Sequence, residues 1–242
     1  AEILDEFIEL ALLAIDIVRT VRARRHERRA SDRAAVPVGP AEHGSGWECV
    51  MIEAGVFVLF TYLFAAVPTG PILATLYADV DITAAGSGNT GATNVHRILG
   101  PRFGLATLVG DLAKGCIPVL LAPAVTEWVH FPSVVAITTF AGHCWPPYLE
   151  FKGGKGVATV AGALLGLAPF IALLTAGTWM LAFLLARRSS LAALAAAVVL
   201  PLCALWLRPD LVVTAVVLML GLFHRHRANI ARLISGSEPK TG

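Results

Sequence analysis

The chain has 242 residues, of which 56% are hydrophobic and 15% charged, and a mean hydropathy of +0.71. Soluble domains carry about 25% charged residues, so this composition excludes the ordinary soluble class and places the chain in a membrane. A net charge of +2, with most Lys and Arg lying between hydrophobic stretches, excludes a nucleic-acid partner; Cys49, Cys116, Cys144 and Cys203 are too scattered for a zinc site or disulfide framework and read as small buried apolar residues.

Residues 1–48 read as an extension and linker ahead of a membrane domain over 49–242. Ile3 to Val21 is at best an amphipathic helix, because Asp5, Glu6, Glu9 and Asp16 argue against a span. Arg19 to Arg33 is basic, and a linker containing Pro, Gly and Ser leads to Trp47. The order of regions that marks a signal peptide is missing.

Spans need about 20 apolar residues each. The first candidate, Val50 to Tyr77, contains Pro68-Thr-Gly-Pro71 and reads as a helix kinked near its end. A polar, glycine-rich island follows, Gly86-Ser-Gly-Asn-Thr-Gly-Ala-Thr-Asn-Val-His-Arg97. Its glycines open backbone conformations closed to other residues. Ser87, Asn89, Thr93 and Asn94 offer side-chain donors, and Arg97 offers a planar fork suited to phosphate or carboxylate. The second segment, Gly104 to Val125, holds Asp111 and Lys114 three apart on one helical face. Such groups face a bundle interior, either as a structural pair or in support of a substrate pocket. The third, Ser133 to Trp145, stops at Pro146-Pro147 and carries His143 at its end.

The second island is Phe151-Lys-Gly-Gly-Lys-Gly-Val-Ala-Thr159. Lys152 and Lys155 among Gly153, Gly154 and Gly156 look like a phosphate-cradling loop. The Walker A spacing fails, because Leu149 stands where the first glycine belongs and Gly156 follows the lysine, so a nucleotide triphosphatase is disfavoured. Four apolar segments follow: a short one from Val157 to Ala168, then Phe170 to Ala186, Leu191 to Leu207 and Leu211 to Phe223. The expected architecture is all-α, a polytopic membrane helix bundle of about seven spans, with five as the rival count if some merge. In the third island, His224-Arg-His-Arg-Ala-Asn229, His226 and Asn229 share a face if the last helix continues into it. Either His143 or His226 can bond a substrate or take a proton. Glu238 is exposed by default, with the option of folding back over the basic site.

Seven crossings put Arg97, Arg102, Lys152, Lys155, Arg187, Arg188, Arg225, Arg227 and Arg232 on one side. The other side receives the Thr126–Pro132 loop, which has no Lys or Arg, and a lone Arg208. The positive-inside tendency then places all three islands in the cytoplasm. It also puts the basic arm of residues 19–33 outside; a surface helix, a different parity, or an appendage without influence on insertion all remain open.

In order and spacing, Gly86 to Arg97, Gly142-His143 through Thr159, and His226 to Leu233 with Glu238 resemble the three cytoplasmic motifs of the bacterial acyl-phosphate:glycerol-3-phosphate acyltransferase family (PlsY type). The resemblance covers roughly Val50 onward. It implies transfer of a fatty acyl group from acyl phosphate to the 1-hydroxyl of sn-glycerol 3-phosphate, giving lysophosphatidic acid and phosphate as the first step of phospholipid synthesis. The location implied is the bacterial plasma membrane with the site on its cytoplasmic side, and no cofactor or metal is implied.

By motif, Ser87 and Arg97 would serve catalysis and glycerol-phosphate binding, with Asn89, Thr93 and Asn94 shaping the pocket. Gly153, Gly154, Lys155 and Gly156 would hold the acyl phosphate; from the reading of the residues themselves, Lys114, Lys152 and His143 are expected on the substrate as well. Ser190 sits where the family has a serine contacting the site, and His226, Asn229 and Glu238 would complete it, His226 and Asn229 on the catalytic side.

Elementary chemistry agrees with that expectation. Phosphate is a good leaving group, so proximity and charge stabilisation are the main requirements and no covalent nucleophile is needed. The HxxxxD signature of soluble-type acyltransferases is absent: Pro101, Val135 and Tyr148 stand five residues after His96, His130 and His143. A proton acceptor is either His226 or the substrate's own phosphate. The rival class is a transporter or flippase for an anionic phospholipid or phosphorylated metabolite, which calls for repeated halves and midplane polar residues; the sequence has no internal repeat. Partners are the two phosphorylated substrates and the lipid bilayer, with a homo-oligomer left open.

Overall fold

The computed structural model describes residues 45–241, and the expectations for residues 1–44 lie outside the described residues. Every regular element among the described residues is a helix. Helix α1 (Ser45–Ala66) breaks at Val67-Pro68 and resumes as α2 (Thr69–Ala78). Pro68 has no N–H to continue the ladder, which is the physical origin of the expected kink. The first island is a loop that leads into α3 (Ala92–Leu99), and Pro101 then opens α4 (Pro101–Val125) from the first-turn position where its missing donor costs nothing.

Helix α5 (Phe131–Cys144) ends in a 3₁₀ turn (Pro147–Leu149). Helices α6 (Val157–Leu167), α7 (Pro169–Ala186) and α8 (Ser189–Leu207) follow, and a second 3₁₀ turn (Pro209–Leu211) leads to α9 (Val212–Arg225) and α10 (Arg227–Ile234).

Each of the seven apolar segments is therefore helical. Length and composition support four membrane spans, namely Trp47–Ala78, Pro101–Val125, Pro169–Ala186 and Ser189–Leu207, or five if the bent pair Pro209–Arg225 and Arg227–Ile234 counts as one. Helices α5 and α6, at 14 and 11 residues, rise about 21 and 16 Å, short of a hydrocarbon core about 30 Å thick. Seven full-length crossings are not what the helix lengths give.

Helix α6 lies along α4, α8 along α7, and α1 along α5. The α4–α6 approach is close because Gly115 faces the Thr159 carbonyl and Gly162 faces the Leu112 carbonyl, where a Cβ would overlap backbone. Phe140, Val160, Leu164, Ile171, Leu200 and Leu218 build the largest buried apolar cluster between α5 and α9. Leu59, Leu173, Leu185, Trp206 and Val213 point outward and are exposed, an arrangement suited to lipid rather than water. The islands gather at one end of the bundle. The opposite end surrounds a cavity of ≈ 220 Å³ lined by His130, Ser133, Leu167, Arg208 and Asp210 among others. Its Arg208–Asp210 pair is closed on itself, with contacts of 2.9 and 2.7 Å.

Candidate active site

The first island is folded by Asn94. This buried side chain accepts the Ser87 N–H (2.9 Å) and donates to the carbonyls of Ile82 (3.2 Å) and Ala85 (3.0 Å). Gly86, at φ 60°, passes so close to Asn94 that a Cβ would strike its amide oxygen. Asn94 therefore shapes the loop from inside. Asn89 caps its own turn by accepting the Gly91 N–H at 3.2 Å. The Ser87, Thr93 and Arg97 side chains are left exposed, while Thr90 is buried against α2, where the Gly70 backbone meets its carbonyl.

The second island begins where α5 ends. Positive φ at Glu150 (50°) and Phe151 (61°) turns the chain back on itself. Lys152 is carried outward by this turn: it is exposed and pairs with Glu150 at 3.0 Å, so it is not brought into the cluster. The next two amides return to the helix end, Gly153 N–H to Cys144 O and Gly154 N–H to His143 O, each at 3.2 Å. Those N–H groups are thus committed to α5. A side chain at Gly154 would collide with the His143 ring, and Gly156, at φ 82°, lies against Phe140 and Cys144. Only past Gly154 do donors become available, at Lys155 and in the first turn of α6, whose N–H groups have no intrahelical acceptor.

Lys155 is half-buried and reports that the islands meet. Burial pushes its ammonium down to about 8; Glu238 pulls the other way, and Arg232, Arg225 and Arg97 add to the depression. Cations from the first and third motifs therefore lie within electrostatic reach of the lysine of the second.

At the third island the last helix does not run on straight. The axis bends by 64° between Arg225 and Arg227, with His226 at the corner, so His226 and Asn229 do not share the face of one continuous helix. His226 is 2% exposed, and its Nδ1 lies 2.8 Å from the Leu222 carbonyl. A carbonyl only accepts, so Nδ1 carries the hydrogen and Nε2 is the acceptor. Burial lowers the imidazole to about 4, against the raising effect of that backbone hydrogen bond, so the ring is neutral at pH 7.

Glu238 does fold back. Its carboxylate accepts from Ser190 Oγ, from Asn229 Nδ2 (2.7 Å) and from Arg232 Nε (2.7 Å), while Arg188 Nε donates to its backbone carbonyl at 3.0 Å. Burial would raise this carboxyl, but the hydrogen bonds from Ser190, Asn229 and Arg232 outweigh it and leave the group below its ordinary value. Ser190, Asn229 and Glu238 are thereby one unit.

Lys114 is buried and bound on two sides, 2.8 Å from Asp111 and 3.0 Å from the Val67 carbonyl at the α1–α2 break. His143 Nδ1 stands 3.6 Å from the same Asp111 oxygen and has no hydrogen-bond partner. Asp111, Lys114, His143, Thr69 and Thr90 line a cavity of ≈ 10 Å³, about the size of one water.

Arg225, Arg232, Arg188 and Thr90 are members of this neighbourhood that motif reading did not single out. The arginines stood in view as part of a basic run, but only tertiary contacts select them from Arg227, which meets His224 instead. The assembled site offers a cationic rim of Arg97, Lys155, Arg225 and Arg232, unbonded helix N–H groups and a neutral imidazole acceptor. That inventory suits two anionic reactants held side by side.

A family model described as glycerol-3-phosphate acyltransferase matches residues 55–236. A glycerol-3-phosphate acyltransferase of Solidesulfovibrio magneticus is 45% identical over 77% of this chain and 94% of its own length. That of Pseudomonas putida strain F1 is 44% identical over 76% of this chain and 97% of its own. The crystal structure of PlsY (YgiH), an integral membrane glycerol 3-phosphate acyltransferase in its glycerol 3-phosphate form, superposes with a TM-score of 0.74 at 34% identity, covering 78% of this chain and 96% of that one. Its lysophosphatidic acid form gives 0.72 at the same identity. The chain belongs to the glycerol-3-phosphate acyltransferase family.

Proposed function

We propose that this chain takes its acyl group from a fatty acyl phosphate and delivers it to the 1-hydroxyl of sn-glycerol 3-phosphate, at the cytoplasmic face of a bacterial plasma membrane. The hydroxyl oxygen bonds to the acyl carbonyl carbon, the acyl carbon–phosphate oxygen bond breaks, and phosphate leaves together with lysophosphatidic acid. The observation that carries this reading is the placement of Lys155, which Arg97, Arg225 and Arg232 flank within electrostatic reach at the start of α6. A cluster of that charge suits two phosphate groups.

The two phosphates have distinct berths in this proposal. Lys155, Gly156 and the free N–H groups of α6 hold the donor phosphate, with Gly153 and Gly154 as the fixed base of the loop. Ser87 and Arg97, exposed on the first island, take the glycerol phosphate, and Thr93 and Asn89 border it. Asn229, Ser190 and Glu238 hold the third island in register, while Lys114 and His143 support the wall behind.

The hydroxyl proton has two acceptors, His226 Nε2 and a substrate phosphate. With His226 near 4 and phosphate monoesters titrating near about 6, the phosphate is the stronger base. His226 then orients the hydroxyl by accepting its hydrogen bond.

The purified protein, in detergent and in lipid, should form lysophosphatidic acid from palmitoyl phosphate and glycerol 3-phosphate, and none from palmitoyl coenzyme A. Product from the thioester alone would replace the donor; no product from either would reject acyl transfer by this chain.

A further inference from the structure

Among the described residues no carboxylate pairs with Arg225. Its guanidinium instead grips backbone: Nε donates to the Gly154 carbonyl at 3.0 Å and Nη2 to the Gly153 carbonyl at 2.7 Å. The opposite edge of the Gly153–Gly154 peptide is fixed too, since its N–H, that of Gly154, goes to the His143 carbonyl, while the Gly153 N–H ties the preceding peptide to Cys144. The Gly153–Gly154 peptide is thus stretched between the end of α5 and the end of α9, and the next one, Gly154–Lys155, is held from the α9 side through its carbonyl.

Arg225 is itself held in place. It lies 5.6 Å over the centre of the Trp145 ring. That ring meets Phe140 edge-on (6.0 Å, 88°), and the Trp145 carbonyl accepts a hydrogen bond from the Tyr62 hydroxyl of α1. A chain of contacts runs from α1 through Trp145 and Arg225 to the loop. Lys155 is the next residue along, and its direction follows from how the Gly153 and Gly154 peptides are turned.

We infer that Arg225 is a positioning residue: by bridging the carbonyls of Gly153 and Gly154 across the Trp145 platform, it aims Lys155 and the first turn of α6 at the donor phosphate. This rests on the acyl-phosphate reading above. Lysine is no substitute, because an ammonium is a point donor without the planar fork that spans two adjacent carbonyls. The charge has a separate effect, since Arg225 is one of the groups facing Lys155, with Glu238, Arg232 and Arg97.

The test compares wild type with Arg225→Lys, Arg225→Gln and Trp145→Leu. Loss of the fork corresponds to about tenfold, or 1.4 kcal/mol, so Arg225→Lys should raise KM for palmitoyl phosphate about tenfold and leave KM for glycerol 3-phosphate within about twofold. Arg225→Gln should do the same and also move the alkaline limb of the rate to higher pH, because a cation repelling Lys155 is gone; Arg225→Lys should leave that limb in place. Trp145→Leu, which keeps both hydrogen bonds, should give a smaller rise, about threefold. Amide hydrogen exchange at residues 153–155 should quicken in Arg225→Lys. That readout needs no turnover, so it probes the clamp even if wild type makes no product from acyl phosphate. Equal rises in both KM values, unchanged kinetics, or exchange at 153–155 as slow as in wild type would each overturn the assignment.

Discussion

Ser190 and Glu238 stand 48 residues apart in sequence and share a hydrogen bond, with the serine hydroxyl donating to the carboxylate. Asn229 and Arg232 donate to the same group, so one carboxylate ties the start of α8 to both turns of α10. Charged hydrogen bonds of this kind contribute about 1.5–3 kcal/mol each. Glu238→Ala should lower the thermal midpoint in detergent by several degrees and abolish most activity; Glu238→Gln, which can keep the Ser190 contact, should fall between. An unchanged midpoint in Glu238→Ala would show that the tie is not structural.

Lys155 titrates at about 8, and only its protonated form attracts phosphate. The ammonium is present below that pH and is lost as pH rises through it. A plot of kcat/KM for acyl phosphate should therefore bend downward near pH 8, and kcat alone should bend at higher pH, since bound phosphate favours the charged form. Lys155→Ala should weaken use of the donor without loss of expression. A flat profile to pH 10 would remove this lysine from the site.

His226 is neutral above about pH 4 and has its Nδ1 hydrogen committed to Leu222. His226→Ala should cost about 100-fold in kcat, the cost of a hydroxyl that is no longer oriented for attack. If a substrate phosphate takes the proton, an acid limb near pH 6 should persist in residual His226→Gln activity. A wild-type limb near pH 4 that the variant loses would assign it to the imidazole.

Asp111 and Lys114 form a buried pair 2.8 Å apart. Removing one partner of such a pair costs about 3–5 kcal/mol, because the other charge is left uncompensated. Asp111→Asn should thus unfold well below wild type, and Asp111→Asn combined with Lys114→Met should recover part of the loss. Additive losses in the double variant would contradict the pairing.

Much of the fold was legible before the structure because its signals are local. Apolar runs made helices, and Pro68 made the break. The convergence of three islands was legible too, because glycine-rich, cationic segments separated by apolar helices of alternating direction return to one end. Other features depend on tertiary geometry that no spacing encodes. The bend at His226 interrupts a stretch whose pattern reads as continuous helix. Asn94 turns inward, and Lys152 outward, through backbone angles at Gly86, Glu150 and Phe151 that are realised only once the loops dock. The short reach of α6 is readable from its length, whereas α5 counts as a span on apolarity alone.

The Glu238 tie has a consequence for biogenesis. Residues 238–241 meet Arg187, Arg188, Ser189 and Ser190, so the carboxylate that locks α8 to α10 is translated after every apolar helix among the described residues. A stalled product that stops short of Glu238 would hold those helices with α8 and α10 unlatched.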